Sequence, residues 1–333
     1  MNRQFISKLL ALLAGIALIF VAYNHNQNSI YIINGNAYGT TWSVKSSEYI
    51  GDQHKENIIN IINRIDYVAS NYKENSEISL INQNTNNFHF VSDDLFNILS
   101  IAKEVELQSL GFYNILLGKI SSNLGFSPTF GKELVHKKNS SFKLNEKNQS
   151  LEKLSSNWFD LSSIAKGYAV QEIHNYLVKE KLVNHLIDIG GEIIANGNNA
   201  GKSWKIGIQN PFSISDNASI IVDNKFKFLA IASSGEYRNY KSDKYGNKLT
   251  HTINPKTLKS IDNEIVSVSV ISKKSATYAD AYSTAFNAMG SELALKIANK
   301  EDIALMLMIN ANDNVEILYS NKWYDEILWV KYL

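Results

Sequence analysis

The chain has no cysteine. That excludes disulfides, thiolate nucleophiles and Cys-ligated zinc together, and it removes the residue through which a bacterial lipoprotein carries its lipid. Any metal must be held by oxygen or imidazole, a donor set that suits Mg²⁺, Ca²⁺ or Mn²⁺. An excess of one charge sign is also missing: over 333 residues the net charge is +1. With no Lys/Arg block either, nucleic-acid binding is set aside. The sequence holds no G-x-G-x-x-G fingerprint, no P-loop and no G-x-S-x-G elbow, so a bound nucleotide needs another scheme and serine hydrolysis is a poor reading. No repeat of solenoid period occurs. Of only 3 prolines, two stand in Asn-Pro turns after strands, at Pro211 and Pro255.

What is present describes an ordinary globular chain, 44% apolar and 20% charged. At the N-terminus Arg3 and Lys8 precede an apolar stretch, Leu9 to Tyr23, and the polar run Asn24–Ser29 follows. This stretch matches a signal-peptide core better than a full membrane span of about 20 residues. A cut after Ala22 would leave Phe20 where a small residue is wanted, so an anchored and a released protein both stay open. Either way the protein is expected to be exported, to the periplasmic side of the inner membrane. Residues 1–29 are thus read as a signal or anchor segment with a polar linker, and 30–333 as the folded domain.

Along that domain, Ile30–Val44 reads as a strand or hairpin broken by Gly35 and Gly39. Apolar residues at helical spacing predict helices over 54–69, from Ser92 onward, over Ile164–Leu182, Tyr278–Met289 and Glu292–Asn299. Two short strands are expected within 127–157. A strand pair is expected over Leu186–Ile194, pivoting on Gly190-Gly191. Further strands are Trp204–Ile208, Phe226–Ala232 and Val266–Val270, and a final hairpin joins Ile303–Ile309 to Val315–Tyr319. Strands often follow strands without a helix between them. The fold class is therefore α+β, with mostly antiparallel sheets and packed helices.

Glycines gather at junctions (Gly167, Gly190-Gly191, Gly207 and Gly235), where backbone can approach a ligand closely and offer N–H groups to phosphate, although each is equally at home as a plain turn. Asp280 and Thr284 lie four apart, hence on one helix face. A carboxylate and a hydroxyl there can bind a hard cation; equally, Asp280 can cap the helix with Thr284 packed beside it. His251, in Leu249-Thr250-His251-Thr252-Ile253-Asn254-Pro255, has the chemistry of a base near neutral pH and also that of an ordinary surface residue. The other histidines show no metal-ligand spacing with one another.

Taken together the segments resemble the ApbE family of FAD:protein FMN transferases. Phe159-Asp160-Leu161 through Ala165-Lys166-Gly167-Tyr168-Ala169 is similar to the family's D-L-x-x-x-A-K-G-Y-A. Ile187-Asp188-Ile189-Gly190-Gly191-Glu192 resembles its strand and G-G-[DE]. Trp204 to Pro211, Ser233-Ser234-Gly235-Glu236-Tyr237-Arg238 and His251 to Pro255 are similar to W-x-[IV]-x-I-x-x-P, T-S-G-x-Y-R and H-x-I-D-P. Ala279-Asp280-Ala281 through Thr284 matches A-D-A-x-x-T. Tyr38-Gly39-Thr40 resembles M-G-T, and Ser70-Asn71-Tyr72, Ser76-Glu77 and Asn82 its S-x-Y-x-x-x-S-E segment with the following asparagine.

The resemblance implies an α+β fold with a T-fold-like core and an FAD cleft. It implies an enzyme that uses Mg²⁺ to cleave FAD and join FMN to a Thr or Ser hydroxyl of an acceptor protein, such as an Nqr- or Rnf-like subunit of a membrane redox complex. It makes Asp280, Thr284 and the carbonyl of Ala165 metal ligands and His251 the base. The FAD cleft is then lined by Tyr38, Tyr72, Glu77, Lys166, Gly190, Gly191, Glu192, Ser234, Gly235 and Tyr237. FAD hydrolysis to FMN and AMP, or FAD binding without catalysis, are the alternative activities. The departures from the family pattern are Asn254 for aspartate, Leu258 for glycine, Gln171 for aspartate, Asn114 for the aspartate of F-D-x-T, and Leu124-Gly125-Phe126 for W-G-F. Asn254 is expected to loosen His251 and Leu258 to reshape its turn.

Overall fold

The computed structural model describes residues 3–27, 29–130, 135–137, 141–209, 218–235, 240–242, 248–311 and 314–326. Its main sheet has eight strands that lie side by side in chain order. They are β1 (Tyr31–Ala37), β2 (Thr40–Ser46), β3 (His185–Ile189), β4 (Glu192–Asn196), β5 (Leu229–Gly235), β6 (Ile265–Ser272), β7 (Ala304–Ala311) and β8 (Asn314–Tyr319). Each neighbouring pair is antiparallel. The sheet stays open rather than closing into a barrel, with β1 and β8 at its edges. The helices among the described residues are α1 (Arg3–Gln27), α2 (Asp52–Ala69), α3 (Glu77–Gln83), α4 (Asp93–Gln108), α5 (Gly118–Asn123), α6 (Ala165–Lys179), α7 (Ala276–Met289), α8 (Ser291–Lys300) and α9 (Asn321–Glu326). The mixed, mostly antiparallel class read from the sequence is the one observed.

Both faces of the sheet are covered, which explains why β7 reads as an unbroken apolar run from Ala304 to Ile309 rather than alternating with polar residues. Leu305 and Leu307 point to one core with Val268, Val270, Ala230 and Ala232, under α6 and α7. Ala304, Met306 and Met308 point to the other, with Leu229, Ile231, Ile271 and the Trp204, Ile206, Ile208, Ile220 and Val222 side chains of a hairpin (Lys205–Gln209, Ala218–Asp223). Trp323 of α9 closes that second core. Each large apolar side chain buried this way contributes about 1.5–3 kcal/mol. The face of α7 against the sheet is small, with Ala276, Ala279, Ala281 and Ala285 all buried, so the helix sits close to the strands.

Several boundaries differ from the sequence reading for local reasons. Gly35 does not break β1; it pairs with Trp42, whose indole lies over it so tightly that a Cβ would stand 2.8 Å from Trp42 Nε1. The hairpin turns instead at Tyr38-Gly39, both with positive φ (53° and 74°), as a two-residue I′-type turn demands. Phe226 belongs to the turn before β5, because Lys225 and Phe226 both take left-handed backbone. The third predicted helix stops at Lys179: Leu182 N–H donates to Leu177 O and Lys181 N–H to Val178 O, a Schellman turn with Lys181 left-handed at φ 63°. The sequence reading did not show α3, α5 or α9, which are too short for helical periodicity to register. In α1, Leu10 and Leu18 are exposed by 61% and 70%, and the helix joins neither core. No helix among the described residues is long and apolar enough to cross a membrane.

A histidine pair fastens the end of α6 to β3. The ring of His185 donates from Nδ1 to Leu182 O at 2.7 Å, so its Nε2 is bare and accepts from His174 Nδ1–H at 2.8 Å. Burial pushes both rings down to about 4; His185 adds to the effect on His174, and the Leu182 carbonyl partly opposes it for His185. Because the folded values lie below that of a free histidine, the stability this pair confers is present above about pH 6.5 and is lost as pH falls toward 4. Unfolding measured in urea is expected to show a loss on the order of 2 kcal/mol per histidine between about pH 7 and 5. His174→Gln is expected to flatten that slope by about half.

Candidate active site

The sharpest feature of the molecule is a buried carboxylate. Asp280 lies in the second turn of α7, only 3% exposed, and its Oδ2 accepts the Gly167 N–H at 2.8 Å. It does not cap the helix, as one sequence reading allowed; Ser275 does, accepting from Tyr278 N–H. The contact is possible because position 167 is glycine: a Cβ there would stand 2.5 Å from Ala276 O and 2.6 Å from Asp280 Cβ. The first turn of α6 and the first turns of α7 are therefore locked at van der Waals distance. Beside them Lys166 Nζ meets Glu192 Oε2 at 2.6 Å, with the Glu192 side chain 3% exposed. Three segments distant in sequence thus share one buried charge cluster.

Burial raises the Asp280 carboxyl, against the opposing pull of Lys166 and the Gly167 N–H. Glu192 is pushed up to about 8, mainly by burial and further by Asp280, with Lys166 opposing. For Lys166 burial works downward, but Glu192, Asp280 and Asp188 outweigh it and hold the ammonium above its ordinary value. One ammonium among three carboxylates leaves the cluster short of positive charge, and the oxygens are hard donors. A divalent cation of the Mg²⁺ kind fits that deficit. Asp280 commits Oδ2 to Gly167 and keeps Oδ1 for a ligand; Thr284, one turn on, is half-buried. Ala165 is the first residue of α6, so its carbonyl belongs to the helical ladder. Among the described residues no group of three or more His, Cys, Asp or Glu is placed to hold a metal ion by itself.

The glycine turn between β3 and β4 stands next to this cluster. Gly190 and Gly191 take φ 63° and 101°. Gly190 abuts Thr40, where a Cβ would meet Thr40 Cγ2 at 2.7 Å, whereas Gly191 faces open space. Asp188 Oδ1 accepts the Gly191 N–H at 2.9 Å and sets the turn. Tyr38 fixes the neighbouring hairpin by donating to Ile62 O at 2.7 Å. From β5, Ser234 and Ser283 of α7 share a hydrogen bond at 2.7 Å, and Ser283 donates to Asp280 O at 2.8 Å. Gly235 follows at the strand's end, paired with Ser267.

His251 is exposed and meets the Phe126 ring edge-on at 6.4 Å between centroids. The Phe126 carbonyl accepts the Tyr72 hydroxyl at 2.6 Å, so Phe126 bridges two segments that the sequence separates. Glu77 is engaged elsewhere: its two oxygens accept Ser92 N–H and Ser92 Oγ–H at 2.8 and 2.6 Å, bracing the start of α4. Tyr237 lies outside the described residues. The sequence reading missed Thr40, Asp188, Ser283 and Phe126 as supports. Asp188 was recoverable, since an aspartate just before Gly-Gly at a strand end is a turn-capping signal.

A model of the ApbE family matches residues 38–307. The FAD:protein FMN transferase of Haemophilus influenzae is 30% identical over 91% of this chain and 94% of its own length. This chain belongs to the ApbE family. The Vibrio cholerae FAD:protein FMN transferase is 28% identical, over 84% of this chain and 88% of its own. Among solved structures, the flavin transferase ApbE from Vibrio cholerae overlays with a TM-score of 0.78 at 25% identity, covering 90% of this chain and 99% of that one. The Pseudomonas stutzeri flavinyl transferase shares the fold, with TM-score 0.78 at 22% identity, covering 90% and 97% of the two chains.

The departures from the ApbE pattern can be read against these contacts. Gln171 reaches back to accept the Ala276 N–H at 3.1 Å, capping the first turn of α7. Asn254 accepts the N–H groups of Lys256 and Thr257 and donates to Ala288 O, so it organises the turn that follows His251. Leu258 adopts φ 59°, the left-handed backbone that a glycine would take freely, so the turn keeps a conformation strained for leucine. Asn114 accepts from Leu116 N–H at 2.7 Å, a turn-forming contact that an aspartate makes equally well.

Gly167→Ala is expected to force α6 and α7 apart, costing at least the ~1–3 kcal/mol typical of overpacking and breaking the Asp280 contact. Equilibrium urea unfolding measures the first. Loss of hydrogen-exchange protection at the residue 167 amide measures the second.

Proposed function

We propose that this chain is a Mg²⁺-dependent FAD:protein FMN transferase working on the periplasmic side of the inner membrane, anchored there or released. The observation that carries the reading is the buried Asp280, joined to Gly167 and flanked by the Lys166–Glu192 pair. That cluster lies where three of the family's motif segments converge. The relatives that share the whole domain bear the transferase name, and the exposed apolar face of α1 supports an exported, membrane-proximal protein.

Asp280 and Thr284 would hold the cation, which when bound neutralises pyrophosphate charge and eases departure of AMP. Lys166, kept charged by its carboxylate neighbours, supplies a further positive group to the same region. Gly191, open on its outer side, offers room for close approach of the dinucleotide. His251 is exposed and placed by Phe126, so an acceptor hydroxyl can reach it without rearrangement of the core. His251 takes the hydroxyl proton, the Thr or Ser oxygen forms a bond to the FMN phosphorus, and the bond from that phosphorus to the AMP oxygen breaks. The acceptor is then an FMN phosphoester, and an Nqr- or Rnf-like redox subunit is the expected class.

The test is to incubate the protein with FAD, Mg²⁺ and a threonine-bearing acceptor domain and weigh the acceptor by mass spectrometry. An FMN-sized gain that vanishes with EDTA is expected. Asp280→Ala should slow transfer by at least about 100-fold, or ~2.7 kcal/mol of barrier. Free FMN and AMP beside an unmodified acceptor would instead establish hydrolysis, and intact retained FAD a binding role.

A further inference from the structure

A polar cavity of about 560 Å³ opens beside Trp158 and shares no lining residue with the Asp280 cluster. Lys119, Lys137 and Lys153 all line it, together with Asn84, Ser155 and Trp158. Two features aim the lysines there. Gly118 lies so close to Trp158 that a Cβ would stand 2.9 Å from Trp158 Cβ, and its N–H donates to Trp158 O; this seats α5 on the wall and leaves Lys119 at the rim. Lys153 is 4% exposed and is fixed by donating to Ile81 O at 2.9 Å.

Among the described residues no carboxylate stands within ion-pair distance of Lys119, Lys137 or Lys153. Burial lowers Lys153 to about 8, with Lys119 adding repulsion, and Lys119 is itself lowered by burial and by Lys137. A hydrogen-bond donor is also left over nearby. The Asn157 amide donates to Lys137 O and to His136 Nε2, so Nε2 accepts and the ring proton sits on Nδ1. His136 Nδ1 is buried and without a partner. The three ammonium groups and the rim of amides and hydroxyls that line the cavity are complementary to a small dianion with several acceptor oxygens.

We propose that this cavity is a binding site for a phosphate-bearing anion, separate from the transferase site. A bound phosphate relieves the mutual repulsion of the lysines. The amides and hydroxyls at the rim are suited to a hydroxylated body attached to it.

The test uses inorganic phosphate as the probe on the full chain, with chloride at matched ionic strength as the control. Lysine acetylation is read peptide by peptide by mass spectrometry, which separates this site from Lys166. Phosphate is expected to protect Lys119 and Lys137 saturably. Lys137→Gln should raise the concentration that half-protects Lys119 by about tenfold, the loss of one charge-assisted contact. In phosphate-free buffer Lys137→Gln should also raise Tm, because it removes a repulsion. Sedimentation with phosphatidate-containing against phosphatidylcholine vesicles identifies the source. Lys119-dependent recruitment makes the anion a lipid headgroup, and its absence with phosphate protection intact makes the anion soluble. Labelling of Lys119 that phosphate does not alter, half-protection unchanged in Lys137→Gln, or a lowered Tm in that variant would each overturn the proposal.

Discussion

The hydrogen bond from the Gly167 N–H to the Asp280 carboxylate sets the spacing on which the rest of the site depends. It joins the first turn of α6 to α7, at a distance that only glycine at 167 permits. With α7 fixed, Ser283 can reach Ser234 at the end of β5. With α6 fixed, Lys166 is delivered to Glu192 beyond the glycine turn of β3 and β4. The cluster is therefore a consequence of helix packing more than of loop conformation. Elements of this kind hold side chains to a fraction of an ångström, which a reaction that aligns a nucleophile with a phosphorus requires.

How much of this the sequence disclosed depended on how far each signal reached. Long periodic segments did well: Ile58, Ile62, Ile65 and Val68 mark α2 because they all face the core. Gly190-Gly191 was legible as a pivot because both positions need positive φ. The Asp280–Thr284 pair could be placed on one helix face, but its role could not be told from capping, since the capping residue Ser275 lies five positions earlier and looks unremarkable in sequence. Nothing local reveals that Gly167 touches Asp280 across 113 residues, or that Phe126 connects Tyr72 with His251. Those contacts arise from the sheet order, which periodicity does not encode. Glu77 shows the converse: motif order put it near the cleft, while its carboxylate is occupied by Ser92 of the α4 cap.

The substitutions within family motifs carry a related lesson about what a motif position does. Gln171 is one methylene longer than the aspartate of the family pattern, yet it still supplies an acceptor to the first turn of α7. Asn254 retains the oxygen that a turn-capping aspartate would use and adds a donor for Ala288 O. In both, the geometry needs an acceptor at that place, not a charge. Leu258 is different, because a leucine held at φ 59° keeps the turn at a conformational cost of about 1–2 kcal/mol. That strain is tolerable where neighbouring contacts, here the two N–H groups held by Asn254, over-determine the turn.

The same cost argument applies with more force to the Asp280 cluster. Three carboxylates and one ammonium in a largely buried setting stabilise nothing on their own, because desolvation exceeds the attraction that a single lysine can return. The fold bears this because the sheet beneath is buried on both faces: Leu305 and Leu307 on one side and Met306 and Met308 on the other contribute stability that a half-solvated sheet would lack. A buried, undercompensated charge cluster mounted on so strong a platform has its natural use in binding what would neutralise it. In the proposed transferase that would be a hard cation, held by Asp280 and Thr284. The deficit would then be the source of affinity, and the two-sided core is what makes the deficit sustainable.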